Sequence, residues 1–395
     1  MDRSSYKLTK FACYSAYFTM SSVFCLPPLL FVTFHEMYGV SWTLLGTLVL
    51  TNFCTQLLVD LIFTIFSKHF NIQKVVRIMP VITSLGLLIY ALIPMLFPQA
   101  AYVGLLSGTV IFSVAAGLSE VLLSPTIAAI PSENPQRDMS LLHSLYAFGA
   151  FTTVMIGTVF IKLIGARYWM YLTMFFAVLP SIATVLFALS PFPEMNTEKA
   201  SVHTKNRKKT TGIALCVCCI FLGSCAENVM SNWVSSYMEA QLHMDKALGD
   251  ILGMAMFTIL LGLTRIYYAK WGKHIHRVLL VGMAGAAICY LVAGLSTHIV
   301  PAFIACVLTG VFTSMLWPGT LIMMEENIPD VGVAAFALMA AGGDLGASVA
   351  PQIMGIVADT SGLQTGMLVS ASFPFLGVLF MLAIIRFFKI VPKRQ

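Results

Sequence analysis

The sequence predicts an all-α membrane protein of twelve transmembrane helices arranged as two six-helix bundles, and two observations support this fold class. Of its 395 residues, 58% are hydrophobic and only 10% are charged, with a mean hydropathy of +0.87. Soluble domains carry about 25% charged residues. Apolar runs of the roughly 20 residues that cross a bilayer recur about twelve times along the chain.

The apolar runs define the predicted spans. The first is about 24 residues long and leads directly into another run, so we interpret it as a helix of the mature chain, not a signal peptide. In order, the spans cover residues 11–34, 41–67, 75–97, 100–130, 138–164, 167–190, 211–238, 246–270, 276–296, 299–327, 331–358 and 365–388. The longest polar stretch follows the sixth span. It predicts an N-terminal bundle of residues 1–190, a cytoplasmic linker of residues 191–211 and a C-terminal bundle of residues 212–395.

The two halves also share an internal repeat. Four residues of the fourth span and its exit reappear 193 positions later in the tenth span and its exit: Gly117, Pro125, Glu133 and Asn134 correspond to Gly310, Pro318, Glu326 and Asn327. Because each unit contains an even number of spans, the copies share one orientation in the membrane, as in parallel-repeat transporters. Such a pair encloses a central cavity.

The distribution of basic residues predicts the orientation. The termini, the linker and the loops on the same side hold about 20 of the 23 Lys and Arg residues, whereas the opposite loops hold only Lys162, Arg167 and Lys246. By the positive-inside rule both termini are cytoplasmic, in a plasma membrane that would be the inner membrane of a bacterium. This asymmetry also explains the net charge of +6 without a nucleic-acid partner.

Glu120 is the only formally charged residue of the fourth span. An unpaired carboxylate at that depth costs several kcal/mol unless it is protonated, paired or hydrated. We therefore expect Glu120 to face the cavity and to couple transport to protons by changing its charge state.

Polar and aromatic residues at helical spacing predict the rest of the site. Amides, carboxylates and aromatic rings are the groups that replace water around a hydroxyl-rich solute. The predicted solute contacts are Gln56, Tyr146, Glu227, Asn228, Trp233, Tyr237 and Trp317. The predicted gating or structural residues are Asp60, His143, Arg265 and Asp344.

We expect no metal site and no cofactor. The nine cysteines lie in or at the ends of apolar runs, and the cluster Cys216-Val217-Cys218-Cys219 has no accompanying histidine. Small polarisable packing residues account for such a pattern. Neither a Walker motif nor an HExxH or paired-Asp motif is present, and no soluble domain is attached, which disfavours an ATPase, a membrane enzyme and a sensor.

Four spans carry motifs at fixed spacing. The fourth has Gly-Leu-x-Glu followed by proline, as Gly117, Leu118, Glu120 and Pro125. The fifth runs from Ser140-Leu-Leu-His143 to Phe148-Gly149-Ala150, and the seventh and eighth contain Gly223, Glu227, Trp233, Tyr237, Gly262 and Arg265. In these motifs the chain resembles the fucose/glucose/galactose proton-symporter branch of the major facilitator superfamily. The resemblance implies the twelve-helix fold and a sugar as substrate.

The chain departs from this branch in the first span. Proton symporters of the branch carry an Asp there, one turn before a proline, whereas this chain has Ser21-Ser22-Val23-Phe24. The loop between the second and third spans has Lys68 where the superfamily usually has Asp. Uncoupled facilitated diffusion and coupling to another ion therefore stay open beside proton coupling.

The expected function is secondary transport of a small neutral polar solute, with a sugar favoured, by alternating access. The expected partners are that solute, a proton or other coupling ion, and the lipid bilayer, and we expect a monomer. The alternative is export of drugs or other metabolites, because a chain rich in Met and Phe also suits amphipathic substrates.

Overall fold

The structure is a computed structural model that describes residues 6–66, 70–133, 135–193, 207–328 and 333–389. Within these ranges every regular element is helical. The first half contains α1 (Lys7–Leu29), α2 (Phe31–Tyr38), α3 (Trp42–Phe66), α4 (Ile72–Leu96), α5 (Ala101–Ala129), α6 (Pro135–Ile164) and α7 (Trp169–Leu189). The second half contains α8 (Arg207–Ser236), α9 (Lys246–Leu248), α10 (Met256–Trp271), α11 (Ile275–Leu295), α12 (Ile299–Thr313), α13 (Leu316–Asn327), α14 (Val333–Ser361), α15 (Leu363–Ser370) and α16 (Ser372–Phe387).

The predicted all-α membrane fold is confirmed. Among the described residues, nine helices are long and apolar enough to cross a membrane, and α1 with α2 forms a tenth span. The helices α6 and α14, of 30 and 29 residues, lie at the remaining two predicted spans. Each predicted span therefore corresponds to a helix or to a short series of helices.

Several spans are less regular than the apolar runs suggest. The first bends by 48° between α1 and α2, where Pro27 and Pro28 lack the N–H groups that a continuous helix needs. The tenth breaks into α12 and α13, and the twelfth into α15 and α16. The segments Tyr237–Gln241 and Gly249–Ala255 are π-helical, a form that occurs often at functional sites.

The helices group into two compact units. One contains Met1–Val40 and Thr51–Glu198, and the other contains Ser41–Leu50 and Lys199–Gln395. The first ten residues of the second predicted span therefore cluster with the second unit, although they precede the predicted linker. Most of that linker lies outside the described residues.

In the first unit, α4 packs against α5 and α7, and α1 packs against α5, α6 and α7. The crossing of α4 and α5 is close because Gly86 and Gly108 present no side chain; a Cβ on either would lie 2.6 Å from a neighbouring atom. Beside this crossing the ring of Tyr90 packs between those of Phe112 and Trp169. These contacts form the apolar core behind the polar residues of α3 and α5.

In the second unit, α8 is the central helix and packs against α12, α13, α14 and α16. Its contact with α14 is tight at Gly346, where a Cβ would lie 2.3 Å from the carbonyl oxygen of Phe221. On the other side of the unit α10 packs against α12. This arrangement brings the ionisable residues of α8 and α10 together.

Candidate functional site

Glu120 lies deep in the first unit but is open to solvent. It follows Gly117 by three residues on α5, and a Cβ at Gly117 would lie 3.1 Å from the backbone of Gln56 and from Val59 on α3. Glu120 is exposed although it lies deep among protein atoms, so a water molecule can reach it. No hydrogen bond or ion pair joins it to another described residue. Glu120 therefore occupies a polar recess without a counter-ion in the described part of the chain.

Asp60 shares this recess. It follows Gln56 by one helical turn on α3, and its charge interacts with that of Glu120. Its Oδ1 atom is buried and has no hydrogen-bond partner among the described residues. Tyr17 of α1 also interacts electrostatically with Glu120. The structure thus brings together two predicted carboxylates, together with a phenol that the sequence analysis did not include among the site residues.

Gln56 belongs to a buried hydrogen-bond network behind this recess. Its Nε2 atom donates to Asn52 Oδ1 at 3.0 Å, and Ser113 Oγ donates to the same oxygen at 2.6 Å. Gln56 is only 2% exposed. Asn52 therefore joins α3 to α5, and Gln56, which is bonded to Asn52, has no surface to offer a solute in this structure.

Tyr146 belongs to a series of aromatic rings in the first unit. Its ring lies 6.2 Å from that of Tyr17 and 5.8 Å from that of Phe24, both edge to face. Phe24 in turn lies 5.9 Å from Phe53. Tyr146 is half-buried, so one part of its ring remains accessible. The side chain of His143, three residues earlier on α6, lies outside the described residues.

In the second unit, Glu227 and Arg265 form an ion pair inside the membrane span. The Arg265 Nη2 atom donates to both carboxylate oxygens of Glu227, at 3.1 and 3.2 Å. Arg265 Nε donates to the carbonyl oxygen of Ser314 at 2.7 Å. The side chains are 40% exposed at Arg265 and 19% at Glu227, so the pair is partly hydrated. Pairing resolves the cost that either charge alone would have in the span.

Asn228 adjoins this pair on α8. Its amide group donates to the carbonyl and hydroxyl oxygens of Ser224, at 3.1 and 3.2 Å. Its Oδ1 atom accepts no hydrogen bond from the described residues, and the side chain is half-buried. An oriented amide oxygen of this kind is a suitable acceptor for a solute hydroxyl.

Trp233 and Tyr237 lie in the interior of the same unit. Both are fully buried. The indole N–H of Trp233 donates to the carbonyl oxygen of Pro351 at 3.2 Å, and the Tyr237 hydroxyl donates to the carbonyl oxygen of Ala293 at 2.6 Å. Their polar atoms are therefore satisfied by the protein, and in this structure neither residue offers surface to a solute.

Trp317 and Asp344 lie near each other on α13 and α14. A Cβ at Gly343 would lie 2.3 Å from the Trp317 ring, so the glycine allows the indole to lie against α14. Trp317 and Asp344 are both half-buried. Trp317 is therefore the predicted tryptophan that keeps accessible surface in this unit.

A buried charge cluster that was not predicted from the sequence lies at the junction of spans seven and eight. Asp250, in the π-helical segment, is buried and lies 3.2 Å from Lys246, which also contacts Glu239 at 3.0 Å. Ser235 Oγ donates to the same Asp250 carboxylate. Lys246 and Asp250 lie four residues apart inside an apolar run, and this spacing is the sequence feature from which the cluster could have been predicted.

A second charged cluster, in the first unit, joins the beginning of α1 to the beginning of α6. Lys10 Nζ lies 2.5 Å from Asp138 Oδ2, which also accepts a hydrogen bond from Ser132. Asp138 therefore has a cationic partner and a hydroxyl donor at the start of α6.

Metal binding has no evident place in the described ranges, where no three His, Cys, Asp or Glu side chains are grouped closely enough to hold an ion. Cys216 and Cys219 are buried, and Cys218 is partly so.

Comparison with known proteins gives a consistent fold. The sequence model of the Major Facilitator Superfamily matches residues 11–275 and 216–395. Among solved structures, a D-xylose-proton symporter has a TM-score of 0.75 at 15% identity, with 98% of each chain covered. The fucose:proton symporter FucP of E. coli has a TM-score of 0.62 at 15% identity, with 96% of this chain and 99% of that chain covered. A nucleoside transporter, NupG, has a TM-score of 0.72 at 12% identity, with 95% and 99% covered.

At these identities the likeness shows the fold alone. No curated protein sequence matches the chain.

Proposed function

The chain belongs to the Major Facilitator Superfamily, and on that premise we propose that it carries a sugar or similar small neutral polyhydroxyl solute by alternating access. Membership of this family, together with solved transporters of the same fold, indicates a transporter and not an enzyme. The names of two similar structures, a fucose and a D-xylose proton symporter, support a sugar as the solute.

One observation carries the proposal of proton coupling. Glu120 lies in a membrane span with an exposed side chain, has no counter-ion among the described residues, and interacts electrostatically with Asp60. A carboxylate in that position is costly while charged and much less costly while protonated. Glu120 therefore takes up a proton from one side of the membrane and releases it to the other as the site alternates.

The accessible groups suit a hydroxyl-rich solute. In the second unit, Asn228 offers an unoccupied amide oxygen, the Glu227 carboxylate accepts hydrogen bonds from hydroxyl groups, and the half-buried ring of Trp317 offers a flat surface to the apolar face of a sugar. Trp233 and Tyr237 are buried supports of that unit. In the first unit, Glu120 and the half-buried ring of Tyr146 offer the same kinds of contact, and Gln56 is a buried support.

The ion pair of Glu227 and Arg265 distinguishes the roles of the two units. In the second unit the glutamate already has a cationic partner, whereas Glu120 in the first unit has none among the described residues. We assign proton exchange to Glu120 and solute binding to the surroundings of Glu227. We further propose a plasma-membrane location with both termini cytoplasmic, from the asymmetry of Lys and Arg residues.

Counterflow in proteoliposomes tests the solute, with a panel of labelled sugars and with nucleosides and peptides as competitors. Accumulation driven by an imposed pH gradient tests the coupling. We expect Glu120→Gln, which mimics the protonated form, to keep sugar exchange and to lose pH-driven accumulation. Glu36→Gln, on the exposed part of α2, is the matched control and keeps both.

Two results contradict the proposal in different ways. If Glu120→Gln still concentrates sugar when only a pH difference is imposed, Glu120 is not the proton carrier. If the wild-type protein exchanges sugar but shows no pH-driven accumulation, the protein is a facilitator and Glu120 serves solute binding alone.

A further inference from the structure

Pro318 removes the hydrogen-bond donor that an α-helix would supply to the carbonyl of Ser314. In a continuous helix the N–H of one residue bonds to the carbonyl four residues earlier, but proline has no N–H. The tenth span breaks at this point, because α12 ends at Thr313 and α13 begins at Leu316. The helical ladder resumes with Gly319, whose N–H donates to the carbonyl of Met315 at 2.8 Å. The Ser314 carbonyl is therefore left without a helical donor.

Arg265 supplies the missing donor from the neighbouring helix α10. Its Nε atom donates to the Ser314 carbonyl at 2.7 Å, a shorter contact than those of Nη2 with the Glu227 carboxylate. The guanidinium group is planar and holds its N–H groups in a rigid fork. When Nε is held by the carbonyl, the direction of Nη2 toward Glu227 is held as well.

We propose that Pro318 is a positioning residue, which orients the Arg265 guanidinium through the Ser314 carbonyl and thereby sets the place of the Glu227 carboxylate. The importance of this role for transport rests on the proposed function, because Glu227 belongs to the proposed solute site. Three spans meet in this chain of contacts: α8 carries Glu227, α10 carries Arg265, and the break between α12 and α13 carries Ser314.

The proposal also explains how the site senses the shape of the tenth span. Straightening the break would move the Ser314 carbonyl away from Arg265, since the location of that carbonyl depends on the break. The guanidinium would then lose one of its two anchors and rotate about its flexible stem. A change in the tenth span is thus transmitted to Glu227 without direct contact between them.

Infrared spectroscopy of the purified protein tests the proposal without requiring transport. The carboxylate stretching band of Glu227 is identified as the band that disappears in Glu227→Gln. We expect Pro318→Ala, which restores an N–H at residue 318, to shift this band from its wild-type position. The control is Pro301→Ala in the first turn of α12, where an N–H has no helical acceptor and the residue is exposed; it leaves the band unchanged.

A second arm asks whether Pro318 acts through Arg265. Arg265→Lys keeps the charge but lacks the Nε atom that binds the Ser314 carbonyl. In that background Pro318→Ala cannot break this hydrogen bond, so we expect the Glu227 band to stay at the position that Arg265→Lys alone produces. If Pro318→Ala does not fold, Pro318→Gly is used in its place, because it restores the same N–H. A wild-type Glu227 band in the folded Pro318 variant, or an equal shift in both backgrounds, overturns the proposal.

Sugar affinity adds a functional readout. We expect Pro318→Ala to weaken sugar binding about tenfold, as the loss of an oriented charged hydrogen bond does. If the wild-type protein binds no sugar, the proposed function fails, while the infrared result still decides the role of Pro318.

Discussion

The carboxylate of Asp359, near the end of α14, accepts a hydrogen bond from the backbone N–H of Trp42, the first residue of α3, at 2.7 Å. The N–H of Thr43 donates to its second oxygen, also at 2.7 Å. Helix N-termini leave their first N–H groups without intrahelical partners, and an acidic group stabilises them. Asp359 thus caps a helix from which it is distant in sequence, within the second unit.

This cap makes stability depend on pH. Burial tends to raise the pKa of Asp359, but hydrogen bonds from Thr43 and from the Trp42 N–H outweigh it, so the pKa falls below its ordinary value of 3.8. A depressed pKa gives stability that is complete above the ordinary pKa and is lost as the pH falls below it. We expect Asp359→Ala to lower the free energy of unfolding by about 1 kcal/mol at neutral pH. The difference from wild type should shrink as the pH falls below 3.8, as measured by thermal unfolding in detergent. A difference that stays the same from neutral to acidic pH would exclude the cap.

Lys246 balances the buried charge cluster. Its removal would delete the ion pairs that Lys246 makes with Asp250 and with Glu239, so we expect Lys246→Met to destabilise the protein by about 3 kcal/mol. Adding Asp250→Asn should restore part of this loss, because it removes one of the buried charges that Lys246 balances. The exposed Lys162→Met is the control and should change the unfolding temperature little. A double variant less stable than Lys246→Met alone would contradict this explanation.

Asn228 and Trp233 should separate solute binding from packing. Asn228→Ala removes an accessible amide, so we expect sugar affinity to fall about tenfold with little change in the unfolding temperature. Trp233→Phe removes the hydrogen bond to Pro351 inside the unit, so we expect a loss of stability of about 1 kcal/mol with sugar affinity unchanged. Isothermal titration and thermal unfolding of the same preparations measure both quantities. The reverse pattern would move Trp233 into the site and Asn228 out of it.

The orientation is testable by cysteine labelling. The linker position His203 lies outside the described residues, and we expect a cysteine there to react only from the cytoplasmic side. Lys246 is too buried to be labelled, whereas the nearby His243 is exposed and serves as the external position. The exposed Cys54 is first changed to Ser. Labelling of position 203 by an impermeant reagent on intact cells would reverse the proposed orientation.

Local composition determined the spans. Whether a segment crosses a bilayer depends on its own length and hydropathy, so all twelve spans were recognisable without knowledge of their neighbours. The cost of a charge in a membrane likewise marked Glu120, Glu227 and Arg265 as residues that need a partner, a proton or water. No local rule, however, indicated which of these three residues has a partner in the protein and which needs a proton or water.

Tertiary structure decided the partners. Helical periodicity assigns a residue to a face of its own helix but does not identify the helix that covers that face. Trp233 and Tyr237 share α8 and its π-helical extension with Asn228, yet they are fully buried while Asn228 is half-buried. Arg265 pairs with Glu227 only because α10 and α8 belong to the same compact unit.

The two prolines of the internal repeat illustrate the division between local and tertiary control. Pro125 and Pro318 occupy equivalent positions, and each removes the N–H that would bond to a carbonyl four residues earlier. Yet α5 continues through Pro125, whereas the tenth span breaks before Pro318. The sequence alone predicted a missing donor at both places. Only the packing of α10 against α12 brought Arg265 to the carbonyl that Pro318 had released, because a donor from another helix is a property of the fold and not of the segment.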